Sequence, residues 1–235
     1  YMTFFLQLFA HLSVRPHRYE LLHVNNMPDF LVFAALLPRL CGTPVIHDVH
    51  DLMPEIYAEK FGVSQRHWLV RMLLAQERWA ARFATAVITV EERLRDILGA
   101  RGVAREKIHV LMNLPDDRIF KPRAPPSTLP GGGRFVIVYH GTLARRLGLD
   151  VAIRAVAKAR ENVPGVELRI IGAGEEREAL LALSAELGML REVTFSDGFV
   201  PLERIPALIA DADAGVIPLK RSEGTDIMLP TKLTE

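Results

Sequence analysis

Short unbroken apolar runs alternate along this chain with stretches in which apolar residues recur at helical spacing. Phe135-Val136-Ile137-Val138-Tyr139 runs into His140-Gly141-Thr142, and Glu167-Leu168-Arg169-Ile170-Ile171 runs into Gly172-Ala173-Gly174-Glu175. Between them Leu149, Ala152, Ile153 and Val156 keep a helical period, and Pro164-Gly165 turns the chain back. The pattern predicts a strand–helix–strand crossover, right-handed as such units almost always are. Glycines at the carboxyl ends of parallel strands let backbone amides approach a ligand, usually a phosphate at the next helix N-terminus.

The same alternation extends over the whole chain. Strands are predicted at 21–25, 44–48, 86–90, 108–112, 193–195 and 214–217, and helices at 29–40, 65–83, 91–100 and 201–210. Short, nearly continuous apolar strands are those of parallel sheets covered by helices on both faces. Residues 121–133 read KPRAPPSTLPGGG, a composition that no strand or helix survives. The division is therefore 1–122, a linker at 123–133, and 134–235: two doubly wound α/β domains joined by a hinge.

Composition narrows the class. The 235 residues are 49% hydrophobic and 24% charged, as in a folded globular protein. A net charge of +1 gives no electrostatic reason to expect a nucleic-acid partner. One cysteine, Cys41, excludes an internal disulfide framework and fits a reducing compartment; its place at the end of an apolar run favours packing over reactivity. Residues 1–14 are apolar but too short to span a bilayer, and they lack a basic start and a cleavage site. The start without methionine and the finish at Pro230-Thr231-Lys232-Leu233-Thr234-Glu235, a helix just beginning, are read as the ends of a fragment.

Several segments carry candidate chemistry. His47-Asp48-Val49-His50-Asp51-Leu52-Met53-Pro54-Glu55 follows a strand. It reads as a ligand-facing histidine, as helix caps on a solvated loop, or as a metal site that lacks a partner cluster elsewhere. In Asn113-Leu114-Pro115-Asp116-Asp117 the polar side chains most often satisfy local backbone. The Gly172–Gly174 turn resembles a dinucleotide fingerprint without its third glycine, and a plain strand-to-helix turn explains it equally well. Arg145-Arg146 could clamp a diphosphate by bidentate hydrogen bonds or simply be solvated. On the helix at 65–83, Trp68, Met72, Ala75, Trp79 and Phe83 form a stripe flanked by Arg71, Arg78 and Arg82. The favoured reading is core with snorkelling arginines; the alternative is docking on an anionic membrane surface.

Taken in order, HVNNMPDF at 23–30, HDVHDLMPE at 47–55, NLPDD at 113–117, HGTLARRLGLD at 140–150, ELRIIGAGEE at 167–176, FSDGFVPLERIPALIADADAGVIPL at 195–219 and LPTKLTE at 229–235 resemble the retaining GT-B glycosyltransferases of sequence family 4. The resemblance covers nearly the whole chain and is stronger after residue 134. It implies two Rossmann-like domains facing a cleft, both incomplete here, and a nucleotide diphosphate sugar as donor substrate, with no metal or other cofactor. By this likeness His50 faces the donor sugar, and Arg145 or Arg146 holds the diphosphate after Gly141 and Thr142. Backbone near Gly172, Gly174, Phe199 and Val200 holds the base. Glu235 matches the second of two glutamates separated by seven residues, the one that bonds the ribose, with Lys232 a phosphate contact beside it. The first glutamate is replaced by Ile227, leaving Asp226 or Glu223 to stand in. The family's usual arginine and lysine fall near Thr142 and Leu147, and its opening strand and glycine-rich acceptor loop are missing.

The implied activity is transfer of a hexose to a hydroxyl of a sugar or lipid-linked acceptor, with retention, in cell-surface polysaccharide or glycoconjugate synthesis. The implied location is the cytoplasm, with peripheral contact at the inner membrane face as an option. The 235 residues alone are expected to be inactive. Two rivals stand beside this reading: a GT-B relative that binds nucleotide or acts as a scaffold without chemistry, and, far behind, a dinucleotide-dependent oxidoreductase. Neither the sugar, the base, the acceptor nor the oligomeric state is legible.

Overall fold

The structure, a computed structural model, describes residues 1–121, 133–222 and 224–235. The chain forms two compact units: residues 1–113 with 222–229, and residues 114–221 with 230–235. This division does not follow the proline–glycine stretch, most of which lies outside the described residues. Residues 114–121 belong to the second unit because Phe120 packs with Val138, Ile171 and Ile205. Residues 222–229 belong to the first because Ile227 packs on its core and the Ser222 hydroxyl donates to Glu59.

In the first unit four parallel strands lie in sequence order: β1 (Leu22–Asn25), β2 (Val45–Val49), β3 (Ala86–Thr89) and β4 (Ile108–Val110). Its helices are α1 (Met2–Val14), α2 (Leu36–Leu40), α3 (Met53–Phe61), α4 (Trp68–Phe83) and α5 (Glu92–Ala100). Val45, His47, Val49, Val87 and Thr89 share one sheet face and are buried. Val32 and Ala35 from the turn Asp29–Ala35, Ala80, Ala81 and Ala84 at the end of α4, and Leu94 and Leu98 of α5 cover that face. The small alanines let α4 approach the strands closely. His23, Ile46 and Ile88, on the opposite face, are half-buried or exposed.

A charged network is buried in this unit. Arg101 donates to both carboxylate oxygens of Glu77, at 3.0 and 2.8 Å, and also to Glu55. Glu55, for which a helix cap is one of the sequence readings, is this buried partner. Burial pushes Glu77 up to about 7 against the pull of Arg101, with Asp29 and Glu55 adding to the rise.

The second unit has a parallel sheet ordered β7-β6-β5-β8: β5 (Phe135–His140), β6 (Val166–Ile171), β7 (Val193–Phe195) and β8 (Ala214–Gly215). Helices α6 (Leu149–Ala159), α7 (Arg177–Glu186) and α8 (Ile205–Ile209) connect them. Tyr139, Leu168 and Ile170 face Leu149, Ile153, Val156 and Leu180, while Val138 and Ile171 face Ile205 and Phe120. Both faces are therefore covered. The strand order reverses between β5 and β8, and open α/β sheets bind ligands beyond the carboxyl ends of strands at such a point.

The turns after β5 and β6 pack backbone to backbone. Gly141 N donates to Ile171 O and Leu143 N to Ala173 O, both at 2.9 Å. Gly172 has φ +145, and a Cβ there would overlap the Gly141 carbonyl; one on Gly174 would overlap that of Leu143. These glycines are required by the neighbouring turn, whatever they offer a ligand.

Three sequence expectations change. Of the predicted stripe, Trp68, Met72, Ala75 and Trp79 are on the solvent side of α4 and only Phe83, half-buried, packs against the cluster of Val32 and Val45; the core side is Val70, Leu73, Glu77, Ala80 and Ala81. Both faces are partly apolar, and the smaller residues fit the sheet better. The helix begins at Trp68 because His67 caps it, its Nδ1 accepting from Leu69 N at 3.3 Å. Cys41 is exposed rather than packed, since α2 ends just before it.

Arg101→Met should destabilise the first unit by about 3–5 kcal/mol at pH 8 by stranding buried carboxylates. Folded Glu77, with a pKa of about 7, keeps a proton that the unfolded chain, near 4.5, loses, so this group lowers stability as pH rises between those values. The loss in Arg101→Met should accordingly shrink at pH 5; urea titrations at both pH values that gave the same loss would refute this. In the second unit Gly172→Ala should cost about 2–4 kcal/mol from backbone strain and overlap. Gly188→Ala, at φ +64 with open space around it, should cost only about 1 kcal/mol. Equal denaturation midpoints for the two variants would contradict the packing described.

Candidate functional site

The second unit gathers its chemistry at the carboxyl end of β5. Tyr139 ends buried on one sheet face with its hydroxyl donating to Thr142 O at 2.7 Å. That bond ties the start of the following turn to the strand. His140, the next residue, points to the opposite face, and its Nε2 lies 3.3 Å from Glu235 Oε2. Lys232 reaches back from the turn Thr231–Leu233, donating from Nζ to His140 O at 2.9 Å and resting over the Tyr139 ring at 4.4 Å from its centroid. A Cβ on Gly141 would crowd that ammonium, so glycine here admits the cation as well as the turn.

Burial strains the ionisation of every member. It pushes the Tyr139 hydroxyl up to about 12 against the pull of Arg146. It lowers His140, with Lys232 adding to the effect, so the imidazole stays neutral below its usual range. It lowers Lys232 against the pull of Glu235 and raises Glu235 against the pull of Lys232. An anion arriving beside Lys232 would restore the ammonium's lost favourable surroundings.

A cavity of about 600 Å³ runs along β5 and β8, lined by Val138, His140, Gly215, Val216, Lys232 and Glu235 among others. It lies at the reversal of strand order. Arg145 and Arg146 are exposed on the turn Arg145–Leu147, and the field of Arg146 reaches Tyr139. Gly148 follows at φ +71, where a Cβ would overlap Pro218 O, and opens α6. Phe199 is 81% exposed, whereas Val200 packs toward the core of Ile205 and Phe120. Gly172 N donates to Ser196 Oγ at 2.9 Å.

The remaining candidates belong to the first unit. His50 follows β2, and Asp48 Oδ2 lies 3.2 Å from its Nε2 and 2.8 Å from that of His23. Asn26 fixes this loop, accepting from His50 N at 3.1 Å and donating to Asp51 O. His47 is buried 3.3 Å from Asp29. No group of three His, Cys, Asp or Glu among the described residues is placed to hold a metal. Asp226 and Ile227 lie in the turn Thr225–Ile227, where Ile227 packs against the cluster of Val49, Leu52 and Val87. Asp226 thus sits in a different unit from Lys232 and Glu235; Glu223 lies outside the described residues. In the turn at 113–117, Asp116 accepts from Arg118 N and pairs with its guanidinium.

Sequence reading gave no role to Tyr139, His140 or His23, and named Asp48 only among the polar residues of the segment at 47–55. His140 carried a signal, a polar residue ending an apolar strand immediately before glycine. Tyr139 read as an ordinary strand aromatic.

Comparison with known proteins matches residues 2–113 to the family described as "Glycosyl transferase 4-like domain" and residues 120–229 to "Glycosyl transferases group 1". A 2-deoxystreptamine glucosyltransferase of Streptomyces kanamyceticus is 29% identical over 212 residues, covering 86% of this chain and 53% of that protein. A GDP-mannose-dependent alpha-(1-6)-phosphatidylinositol monomannoside mannosyltransferase of Mycolicibacterium smegmatis is 37% identical over 97 residues, 41% of this chain and 25% of its own. The chain therefore spans about half the length of the first of these relatives. The crystal structure of HepE from Anabaena in complex with UDP superposes with a TM-score of 0.70 at 22% identity, over 92% of this chain and 58% of that one. With two parallel-sheet α/β units, each matched to a glycosyltransferase domain, the chain belongs to the group 1 glycosyltransferases of family 4 and has the GT-B fold.

Proposed function

We propose that the chain is part of an enzyme that transfers a hexose, with retention, from a nucleotide diphosphate sugar to a hydroxyl of a sugar or lipid-linked acceptor. The observation that carries this reading is the Tyr139–His140–Lys232–Glu235 cluster, with Arg146 nearby, at the strand-order reversal of the second unit. Lys232 and Arg145 or Arg146 hold the diphosphate, and the Glu235 carboxylate accepts from the ribose hydroxyls. Gly141, Thr142, Gly172 and Gly174 offer close backbone approach, and Phe199, with Val200 behind it, offers an exposed ring for the base. His50 positions the donor sugar.

In the reaction the bond between the anomeric carbon and the diphosphate oxygen breaks, and the acceptor oxygen bonds to that carbon from the same face. The acceptor proton passes to the departing phosphate. Charge develops on the leaving diphosphate, and preorganised cations aimed at it lower the barrier without an obligatory protein base. Family membership supports the reaction class. The pathway, assembly of cell-surface polysaccharide or glycoconjugate in the cytoplasm, is supported by that class and by a free exposed thiol, which suits a reducing compartment.

A second reading, a relative that binds nucleotide without transferring sugar, is favoured by Ile227. That side chain fills a hydrophobic contact where the resemblance places a glutamate.

Titration calorimetry of the chain with UDP, GDP and ADP should show binding of at least one. Lys232→Ala should weaken it roughly tenfold or more, the worth of a charge-assisted hydrogen bond. Because burial already lowers the Lys232 pKa, binding should also weaken as pH climbs toward the ordinary lysine range, where the ammonium is lost. No binding to any nucleotide would overturn the assignment. Full-length protein that binds nucleotide yet neither transfers nor hydrolyses any sugar nucleotide would establish the second reading, and unchanged turnover in its His50→Ala variant would remove the role given to His50.

A further inference from the structure

The solvent side of α4 in the first unit is left unexplained by sugar transfer. Trp68, Met72 and Trp79, at positions i, i+4 and i+11, are 67%, 52% and 65% exposed. Ala75 completes the line, and Arg71, Arg78 and Arg82 run exposed along one side of it. The only acid of the helix, Glu77, is on the opposite face and bound to Arg101. None of the three flanking guanidiniums is in an ion pair among the described residues. No described helix is long and apolar enough to cross a membrane.

We propose that this face docks the protein on an anionic lipid surface. Tryptophan favours the headgroup level of a bilayer, where the ring is half in hydrocarbon and the indole N–H stays wet. The two tryptophans are about 16 Å apart along the axis at a helix's rise per residue, so α4 would lie in the plane of the surface with both rings inserted. The arginines, all on one flank and without a protein counter-charge, would meet lipid phosphates, each with a planar fork suited to two phosphate oxygens. An anionic surface supplies both complements at once. Self-association through the same face does not, because an isologous contact would bring two sets of three arginines together with no acid to pair them. The inference stands apart from the sugar-transfer reading and uses none of its residues.

Trp68 and Trp79 are the chain's two tryptophans, so its tryptophan fluorescence, excited selectively, reports on this face alone. The whole chain should co-sediment with vesicles of phosphatidylglycerol and phosphatidylcholine, and much less with phosphatidylcholine alone. Tryptophan emission should move to the blue on binding and lose access to iodide, and both effects should fade with added salt. The variant Arg71→Gln/Arg78→Gln/Arg82→Gln should partition roughly a hundredfold less, from three basic residues at an anionic surface, with an unchanged melting curve. If that variant misfolds, the salt dependence and iodide protection of the unmodified chain decide the matter. Equal partition to both kinds of vesicle, or sedimentation without an emission shift, would overturn the proposal. A blue shift that grows with protein concentration without lipid would overturn it in favour of a contact between copies.

Discussion

Two backbone turns meet without side chains between them, and the second unit's chemistry depends on that contact. The Gly141 carbonyl occupies the space where residue 172 would carry a Cβ, and the Leu143 carbonyl occupies it for residue 174. The hydrogen bonds Gly141 N to Ile171 O and Leu143 N to Ala173 O then continue the β5–β6 ladder past the strand ends. With the turn fixed, the His140 carbonyl is presented to Lys232, and the Tyr139 ring lies beneath the ammonium. The glycines are thus structural before they are functional: they set the position of a cation whose burial lowers its proton affinity and readies it for an anion.

The second unit was the more legible of the two. Apolar runs ended by glycine reveal parallel strands because a period of one apolar residue per position has few other uses in so short a run. They also located the carboxyl-end turns, and with them Gly141, Gly172 and the arginines. What stayed hidden depends on pairing across long separations. Nothing near Lys232 in sequence shows that it bonds a carbonyl 92 residues earlier, nor that His140 and Glu235 become neighbours. The linear pattern of α4 was equally silent about which side faces the sheet, since Trp68, Met72 and Trp79 are as periodic as Val70, Leu73 and Ala80. Hydrophobicity alone favours the larger side chains, whereas close packing on a sheet favours the smaller ones.

The first unit places unusual electrostatics at its centre. One arginine serves two buried glutamates, while His47 and Asp29 lie buried side by side. Isolated buried charges are costly, and such groups persist only when partners of opposite sign are held in place. Glu55, Glu77 and Arg101 come from three different helix regions, so their spacing in sequence carries no hint of a network. On the rim, Asp48 shared between His23 and His50 orients the one histidine that the motif made prominent.

Residues 222–229 fold with the first unit although the chain has already entered the second at residue 114, and it returns there at residue 230. Neither unit is therefore a contiguous stretch of polypeptide. A ribosome completes the first sheet more than a hundred residues before it supplies Ile227, the side chain that rests on Val49, Leu52 and Val87. Dissection at the proline–glycine stretch would divide the gene at its most obvious seam and yield two unequal pieces. One would lack part of the cover over its core, and the other would carry a short apolar segment with nothing of its own to pack against.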